Sequence, residues 1–255
     1  MTGATMGSDA IEAEIQLEAR RILDAVSDRG LEVKLLGGVA IRIALGDRFP
    51  PVLAREYGDI DLFTTKRFCS GVESLLDELG WEPASQFNAI NGSRRLLFSD
   101  PGSDRKIDVF IDDFEMCHKL PLKKRFDLPG DTLDPADLLL TKLQIIELNA
   151  KDRGDAYAIL TAFPTDGGSE GIDIGWITEL TARDWGLQHT LELNFGRLRG
   201  GLAESPLSED QRSRVDAAID RIEAAMDEAP KSRSWKLRDR VGERKKWYDE
   251  PEEID

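Results

Sequence analysis

The chain is poor in cysteine, histidine and positive charge, and it has no long apolar run. Two cysteines in 255 residues, Cys69 and Cys117, cannot build a disulfide framework. Stability must come from a core, and both thiols are expected to be reduced in the cytoplasm. Two histidines, His118 and His189, stand far apart and without ligand spacing, which excludes a histidine-rich zinc centre. No serine sits in a nucleophile elbow, so a hydrolytic triad is unsupported. No stretch approaches the roughly 20 apolar residues of a membrane-spanning helix, and no membrane partner is expected. The first residues carry no basic segment followed by an apolar one, so no secretory signal is expected either. Lys and Arg number 34 against 49 Asp and Glu, giving a net charge of -15. Such a surface as a whole repels a phosphate backbone, which excludes non-specific nucleic-acid binding across the molecule.

What is present reads as a globular chain with two characters. In the first half, a helix is expected after Asp9, capped by Asp9 and Glu12, with Ile11, Ile15, Leu17, Ile22, Leu23 and Val26 as its apolar stripe and Gly30 as its end. A strand at Val33–Leu36 runs into Gly37-Gly38, and a helix follows from Val39 to about Leu45. Asp59–Phe63 alternates as a half-buried strand, a helix spans about Ser70–Leu79, and Arg94–Phe98 and Lys106–Ile111 form a hairpin about Asp100–Ser103. In the second half every pattern is helical. Asp134-Pro135 opens a helix expected to reach about Asn149, another covers Asp152–Ala162, and an amphipathic helix runs from Ser208 to Met226. Thr165–Ser169 is the expected linker, and the acidic tail Asp249–Asp255 is expected to fray. The fold class is therefore α/β (α+β): a mixed sheet flanked by helices in residues 1–130, then a helical domain in 131–255.

Three carboxylates carry chemistry. Asp59 and Asp61 lie two apart on one strand and share a face, while Asp108 sits in a second strand, Lys106–Phe110, that can pair beside the first. Each is framed by core residues: Ile60, Leu62 and Phe63 in one strand, Ile107, Val109 and Phe110 in the other. Three acids on one sheet face repel unless a cation lies between them. A hard divalent ion, Mg²⁺ or Mn²⁺, takes oxygen ligands and leaves room for phosphates. Gly37-Gly38, at a strand-to-helix junction, lets phosphate oxygens approach backbone N–H groups. Together these parts describe phosphoryl or nucleotidyl transfer.

The run Leu35-Leu36-Gly37-Gly38-Val39-Ala40, then Asp59-Ile60-Asp61-Leu62, then Ile107-Asp108-Val109-Phe110, resembles the polymerase-beta-type nucleotidyltransferase superfamily. That pattern has a hydrophobic stretch with a Gly-Gly/Ser turn, an Asp-x-Asp/Glu on the next strand, and a third Asp further on. Two departures stand out. Gly38 occupies a position where many members have Ser, and the 20 residues between Gly38 and Asp59 exceed the usual gap, with Phe49–Tyr57 as an insertion. The block Asp134–Lys142 followed by Lys151-Asp152-Arg153-Gly154-Asp155 is similar to the branch containing abortive-infection and toxin–antitoxin nucleotidyltransferase toxins. The resemblance spans about residues 31–163.

It implies a nucleotidyltransferase-like sheet and a reaction that moves a nucleoside monophosphate from an NTP to an acceptor hydroxyl. Asp59, Asp61 and Asp108 would hold the metals, with Asp108 also helping to deprotonate the acceptor. Gly37 and Gly38 would cradle the triphosphate, and Lys142 would touch the triphosphate or the site's acids. Asp152 and Asp155 would border the pocket, Asp152 as a base or orienter. The branch further implies an RNA acceptor such as a tRNA end and an antitoxin protein as partner. A small hydroxylated acceptor such as an antibiotic, or a non-catalytic nucleotide-binding module, are the alternatives. Eight basic residues gathered between Lys231 and Trp247, against Asp239 and Glu243, are the surface where a polyanion could dock, with a lesser cluster at Lys119–Arg125.

Overall fold

The computed structural model describes residues 8–165 and 171–250, without the side chains of residues 8–13. It divides into two compact units. One comprises the residues up to Gly46, Ala54–Phe114 and Pro121–Leu133; the other comprises Asp47–Leu53, Glu115–Leu120 and the residues from Asp134 onward.

The first unit is built on a five-stranded mixed sheet. Its strands are β1 (Lys34–Leu36), β2 (Asp59–Thr64), β3 (Glu82–Pro83), β4 (Arg95–Ser99) and β5 (Lys106–Ile111), in the order β1-β2-β5-β4-β3. Only β2 and β5 are parallel; every other pairing is antiparallel. The β4–β5 hairpin turns where the sequence predicts, because Asp100 accepts hydrogen bonds from the Gly102 N–H (2.9 Å) and the Ser103 hydroxyl (2.7 Å). One face of the sheet is apolar except for the buried Thr64, whose hydroxyl donates to Glu32 O at 2.8 Å. Leu35, Ile60, Leu62, Ile107, Val109, Leu96 and Phe98 are all buried there, each contributing on the order of 1.5–3 kcal/mol. The opposite face carries the acids. The edge strand β1 is closed by the segment before the second unit: the Leu35 N–H donates to Asp131 O (2.7 Å), and the Leu133 N–H donates to Leu35 O (2.8 Å).

Four helices flank this sheet: α1 (Ser8–Asp28), α2 (Gly37–Leu45), α3 (Cys69–Glu78) and α4 (Ser85–Asn91). The first is already formed at Ser8, so Asp9 lies inside it, and the predicted Asp9/Glu12 cap involves side chains outside the described residues. Its buried stripe is Ile15, Ala19, Ile22 and Val26. Leu17 is 66% exposed, because two residues carry it about 200° around the helix from Ile15. Helix α2 starts at Gly37 rather than Val39, directly off β1.

The second unit is helical: α5 (Pro135–Leu143), α6 (Ala150–Ala162), α7 (Ile174–Thr181), α8 (Trp185–Leu202), α9 (Glu209–Glu228) and α10 (Arg233–Asp239). Asp134 caps α5 as predicted, accepting from the Ala136 N–H at 3.0 Å. Helix α5 stops at Leu143, six residues before the expected Asn149. The cause lies far along the chain. The side-chain amide of Asn194, fully buried on α8, donates to the carbonyls of Leu143 and Ile145 (2.7 Å each), and Arg197 donates to Ile146 O (2.5 Å). Those bonds replace the intrahelical ones that would extend α5. Helix α9 has the full Ser208/Gln211 capping box. Residues 166–169 of the expected linker lie outside the described residues. The start of the acidic tail is anchored, contrary to expectation: the Asp249 N–H donates to Cys117 O at 3.0 Å, and Trp247 Nε1–H donates to the Thr190 hydroxyl at 3.1 Å. Among the described residues no helix is long and apolar enough to cross a membrane.

Replacing Asn194 by Ala leaves two carbonyls buried without their donor. The expected loss is about 1–3 kcal/mol, read as a lower midpoint in urea denaturation with an unchanged slope.

Candidate functional site

The turn from β1 into α2 is shaped by a carboxylate. Gly37 has φ of +72°, and a Cβ placed there would collide with the carboxylate of Asp61. Backbone strain and lack of space each exclude a side chain at residue 37. Pairing brings the two together, since Leu36 lies opposite Asp61 in the antiparallel β1–β2 register. At the next position, a Cβ on Gly38 would come 2.5 Å from Arg55 Nη2 and 2.8 Å from the Tyr57 ring. Arg55 and Tyr57 come from the stretch read as an insertion. The Arg55 guanidinium stacks on the Tyr57 ring at 4.3 Å and donates through Nη1 to Glu56 O at 3.2 Å.

The three predicted acids share the polar face of the sheet. Asp61 is the register partner of Asp108 across the parallel β2–β5 pair, and Asp59 is the partner of Lys106. Their surroundings differ: Asp59 is exposed, Asp61 half-buried and Asp108 buried. Arg95 on β4 grips Asp108, with Nε 2.8 and 3.0 Å from its two oxygens and Nη2 on the second. Both side chains are nearly enclosed, at 11% and 13% exposure. Burial pushes the Asp108 carboxyl up, the Arg95 hydrogen bonds and charge oppose this, and Asp59 adds to the rise; the net direction is upward. Three acids on one sheet face call for a cation. At Asp108 that cation is Arg95, a residue that no pattern in the sequence singles out.

The donor set fits a divalent ion in part. Asp59 and Asp61 are hard oxygen donors on one face, the number of carboxylates with which Mg²⁺ is commonly held when phosphates complete its shell. Among the described residues no group of three or more His, Cys, Asp or Glu is placed to hold a metal ion. With Asp108 in the grip of Arg95, two acids and not three are available as arranged.

In the helical unit, Lys142, Asp152 and Asp155 come together. Lys142 Nζ on α5 is 2.8 Å from Asp152 and 3.0 Å from Asp155 on α6, and the lysine side chain is only 12% exposed. It is therefore a buried lysine held by two acids, not a surface one. Burial acts to lower its pKa, the attraction of Asp155 and then of Asp152 outweighs this, and the ammonium is held above its ordinary value of 10.5. Asn149, not Asp152, caps α6: its side chain accepts from the Asp152 N–H at 2.9 Å and donates to the Asp152 carboxylate at 2.7 Å.

Half of the basic run from Lys231 to Trp247 is spent internally. Lys231 donates to Gln188 (2.6 Å), Arg238 to the Gly242 and Lys245 carbonyls (2.6 and 2.5 Å), Arg244 to Arg240 O (2.9 Å), and Lys246 pairs with Glu250 (2.5 Å). Arg233, Lys236, Arg240 and Lys245 are exposed. The tryptophans of α7 and α8 are buried with their indole N–H groups satisfied: Trp176 Nε1–H donates to Asp137 (2.7 Å), and Trp185 Nε1–H donates to Asp239 (2.8 Å).

No protein-family model matches this chain, and no curated protein matches it. Among solved structures, that of the antibiotic-resistance factor ANT(2'')-Ia aligns over 85% of this chain and 96% of its own, with 14% identity and a TM-score of 0.38. Similarity at that level says nothing about activity or substrate.

The Lys142 cluster makes a sign-definite prediction. Because the ammonium's folded pKa is raised, its contribution is complete below about pH 10.5 and is lost only as pH climbs through the higher folded value. Lys142→Met is expected to cost about 3–5 kcal/mol near neutrality. Asp152 and Asp155 then remain buried without their lysine. Thermal melts of both proteins between about pH 7 and 9 check this: the deficit should hold constant, because the ammonium's contribution is complete throughout that range, and a deficit that vanishes within it contradicts the prediction.

Proposed function

We propose that this chain is a metal-dependent nucleotidyltransferase of the polymerase-beta type. The observation that carries this reading is the meeting of Asp61 with the Gly37-Gly38 turn on the face that also holds Asp59 and Asp108. A phosphate chain laid on that turn lies beside two hard carboxylates and at the start of a helix of nine residues.

Asp59 and Asp61 would hold Mg²⁺ or Mn²⁺, with Asp108 as a third ligand only once Arg95 releases it, and the ion would supply neutralisation of the triphosphate and alignment of its reacting oxygens. Gly37 and Gly38 offer backbone N–H groups to the phosphates. Asp108, once Arg95 yields its carboxylate, takes the proton of the acceptor hydroxyl. The hydroxyl oxygen then bonds to the α-phosphorus, the bond to the bridging oxygen breaks, and pyrophosphate leaves with that electron pair. The resemblance to the toxin branch adds Lys142, Asp152 and Asp155 to the nucleotide's surroundings and implies an antitoxin partner, while the two free cysteines fit a reducing cytoplasm.

The acceptor divides into two classes. An RNA end is what the branch resemblance implies, and the exposed Arg233, Lys236, Arg240 and Lys245 are the cations for it. A small hydroxylated molecule is the second reading, favoured by the internal use of the other four basic residues.

Mg²⁺ together with an NTP should raise the melting temperature, and Asp59→Asn with Asp61→Asn should abolish the joint effect. Asp108→Asn should keep most nucleotide affinity yet lose transfer by several orders of magnitude. Pyrophosphate release with total RNA or a metabolite extract as acceptor is the assay, and release by the wild type no faster than by the variant defeats the catalytic reading. Reversing the charges of Lys236, Arg240 and Lys245 should weaken RNA labelling and flatten its salt dependence while NTP binding stays intact. Label confined to small molecules, unaffected by that reversal, identifies the second acceptor class.

A further inference from the structure

We propose that Arg55 grips the phosphates of the bound nucleotide and so selects nucleotides by their phosphate chain. The inference rests on the nucleotidyltransferase reading and deepens it.

Three observations converge. First, the guanidinium lies directly on the Gly38 backbone, so close that a Cβ there would meet Arg55 Nη2 at 2.5 Å. Any side chain at residue 38, a serine included, competes with this arginine for one volume. The missing hydroxyl at that turn and the presence of the guanidinium are two aspects of a single arrangement. Second, the guanidinium is held in position. It stacks on Tyr57, a ring only 5% exposed, and its Nη1 donates to Glu56 O. An arginine fixed in this way gives up less rotational freedom when it binds than one waving in solvent. Third, Asp61 fills the space beside Gly37 while Arg55 fills the space beside Gly38. Consecutive residues of one turn are therefore bordered by a carboxylate and by a guanidinium.

That alternation suits a ligand carrying both a hard cation and anionic oxygens. The acid side takes the cation, and the planar fork of the arginine takes two phosphate oxygens. A nucleoside offers neither. The stretch that reads in sequence as an insertion thus delivers a side chain to the turn.

The test measures binding by calorimetry in Mg²⁺ buffer. The four NTPs are compared first, and the tightest is followed by its diphosphate, monophosphate and nucleoside. Arg55→Met should weaken NTP binding at least tenfold, the diphosphate less, and the nucleoside by less than twofold. Arg55→Lys should recover part of the loss, since it keeps the charge but not the fork. Gly38→Ser, which leaves Arg55 in the sequence but displaces its guanidinium, should weaken NTP binding several-fold with the same dependence on phosphate number. Arg55→Met binding NTP within twofold of the wild type, while Asp59→Asn with Asp61→Asn loses it, overturns the role of Arg55 and leaves the site reading standing. Equal weakening of NTP and nucleoside by Arg55→Met marks a structural residue and also overturns the proposal. A wild-type protein that binds none of the four NTPs overturns the proposal together with the reading beneath it.

Discussion

The volume beside Gly37 is filled by the carboxylate of Asp61, and much of the first unit's geometry follows from that occupancy. A side chain at residue 37 would push β1 away from β2 or force α2 to leave the sheet at another angle. Without one, the chain turns from strand to helix within a single residue, and the helix begins next to the acid-bearing strand. The parallel pairing of β2 with β5 then sets Asp108 beside Asp61, and the hairpin brings Arg95 across to it. The apolar residues alternating with these acids are buried on the other face. A slip of one residue in register would bury the acids and expose Ile60, Leu62, Ile107 and Val109.

Both units answer buried acid with buried base. Asp108 is matched by Arg95 within the sheet unit, and Asp152 and Asp155 are matched by Lys142 within the helical one. These pairs are costly to desolvate and costlier to break. The Arg95–Asp108 pair is neutral, whereas one lysine between two carboxylates leaves its cluster with a net charge of about -1. The two arrangements differ in form. The arginine meets its acid through a planar fork, a directional grip, whereas the lysine is a point charge shared between two carboxylates.

The elements bearing the acids were legible because their signals are local. Alternation in Asp59–Phe63, the Asp100 turn and the Pro135 helix start each depend on a few neighbouring residues, and each forms as read. The fold class follows from the same signals. What the sequence hid depends on distance along the chain. The end of α5 is decided by Asn194, 51 residues beyond Leu143. The partner of Asp108 is an arginine 13 residues earlier, whose reach across a hairpin no periodicity records. Arg55 was passed over because its stretch has no regular pattern. The burial of Lys142 was not legible because it comes from the acids of α6, not from its own helix. The basic run misled in a different way: composition counts charges but not the carbonyls that absorb them.

The order in which the chain is made interacts with how it divides. The sheet unit ends at Leu133, so every residue it needs has emerged before the helices from Asp134 onward. Two short segments within that stretch, Asp47–Leu53 and Glu115–Leu120, belong to the other unit and must wait for the helices still to come. The wait is long at Cys117, whose carbonyl receives the Asp249 N–H, a donor more than a hundred residues further along the chain. On the ribosome, where domains form largely as they emerge, the acid-bearing sheet can be complete while the helical unit is still waiting for its last strap.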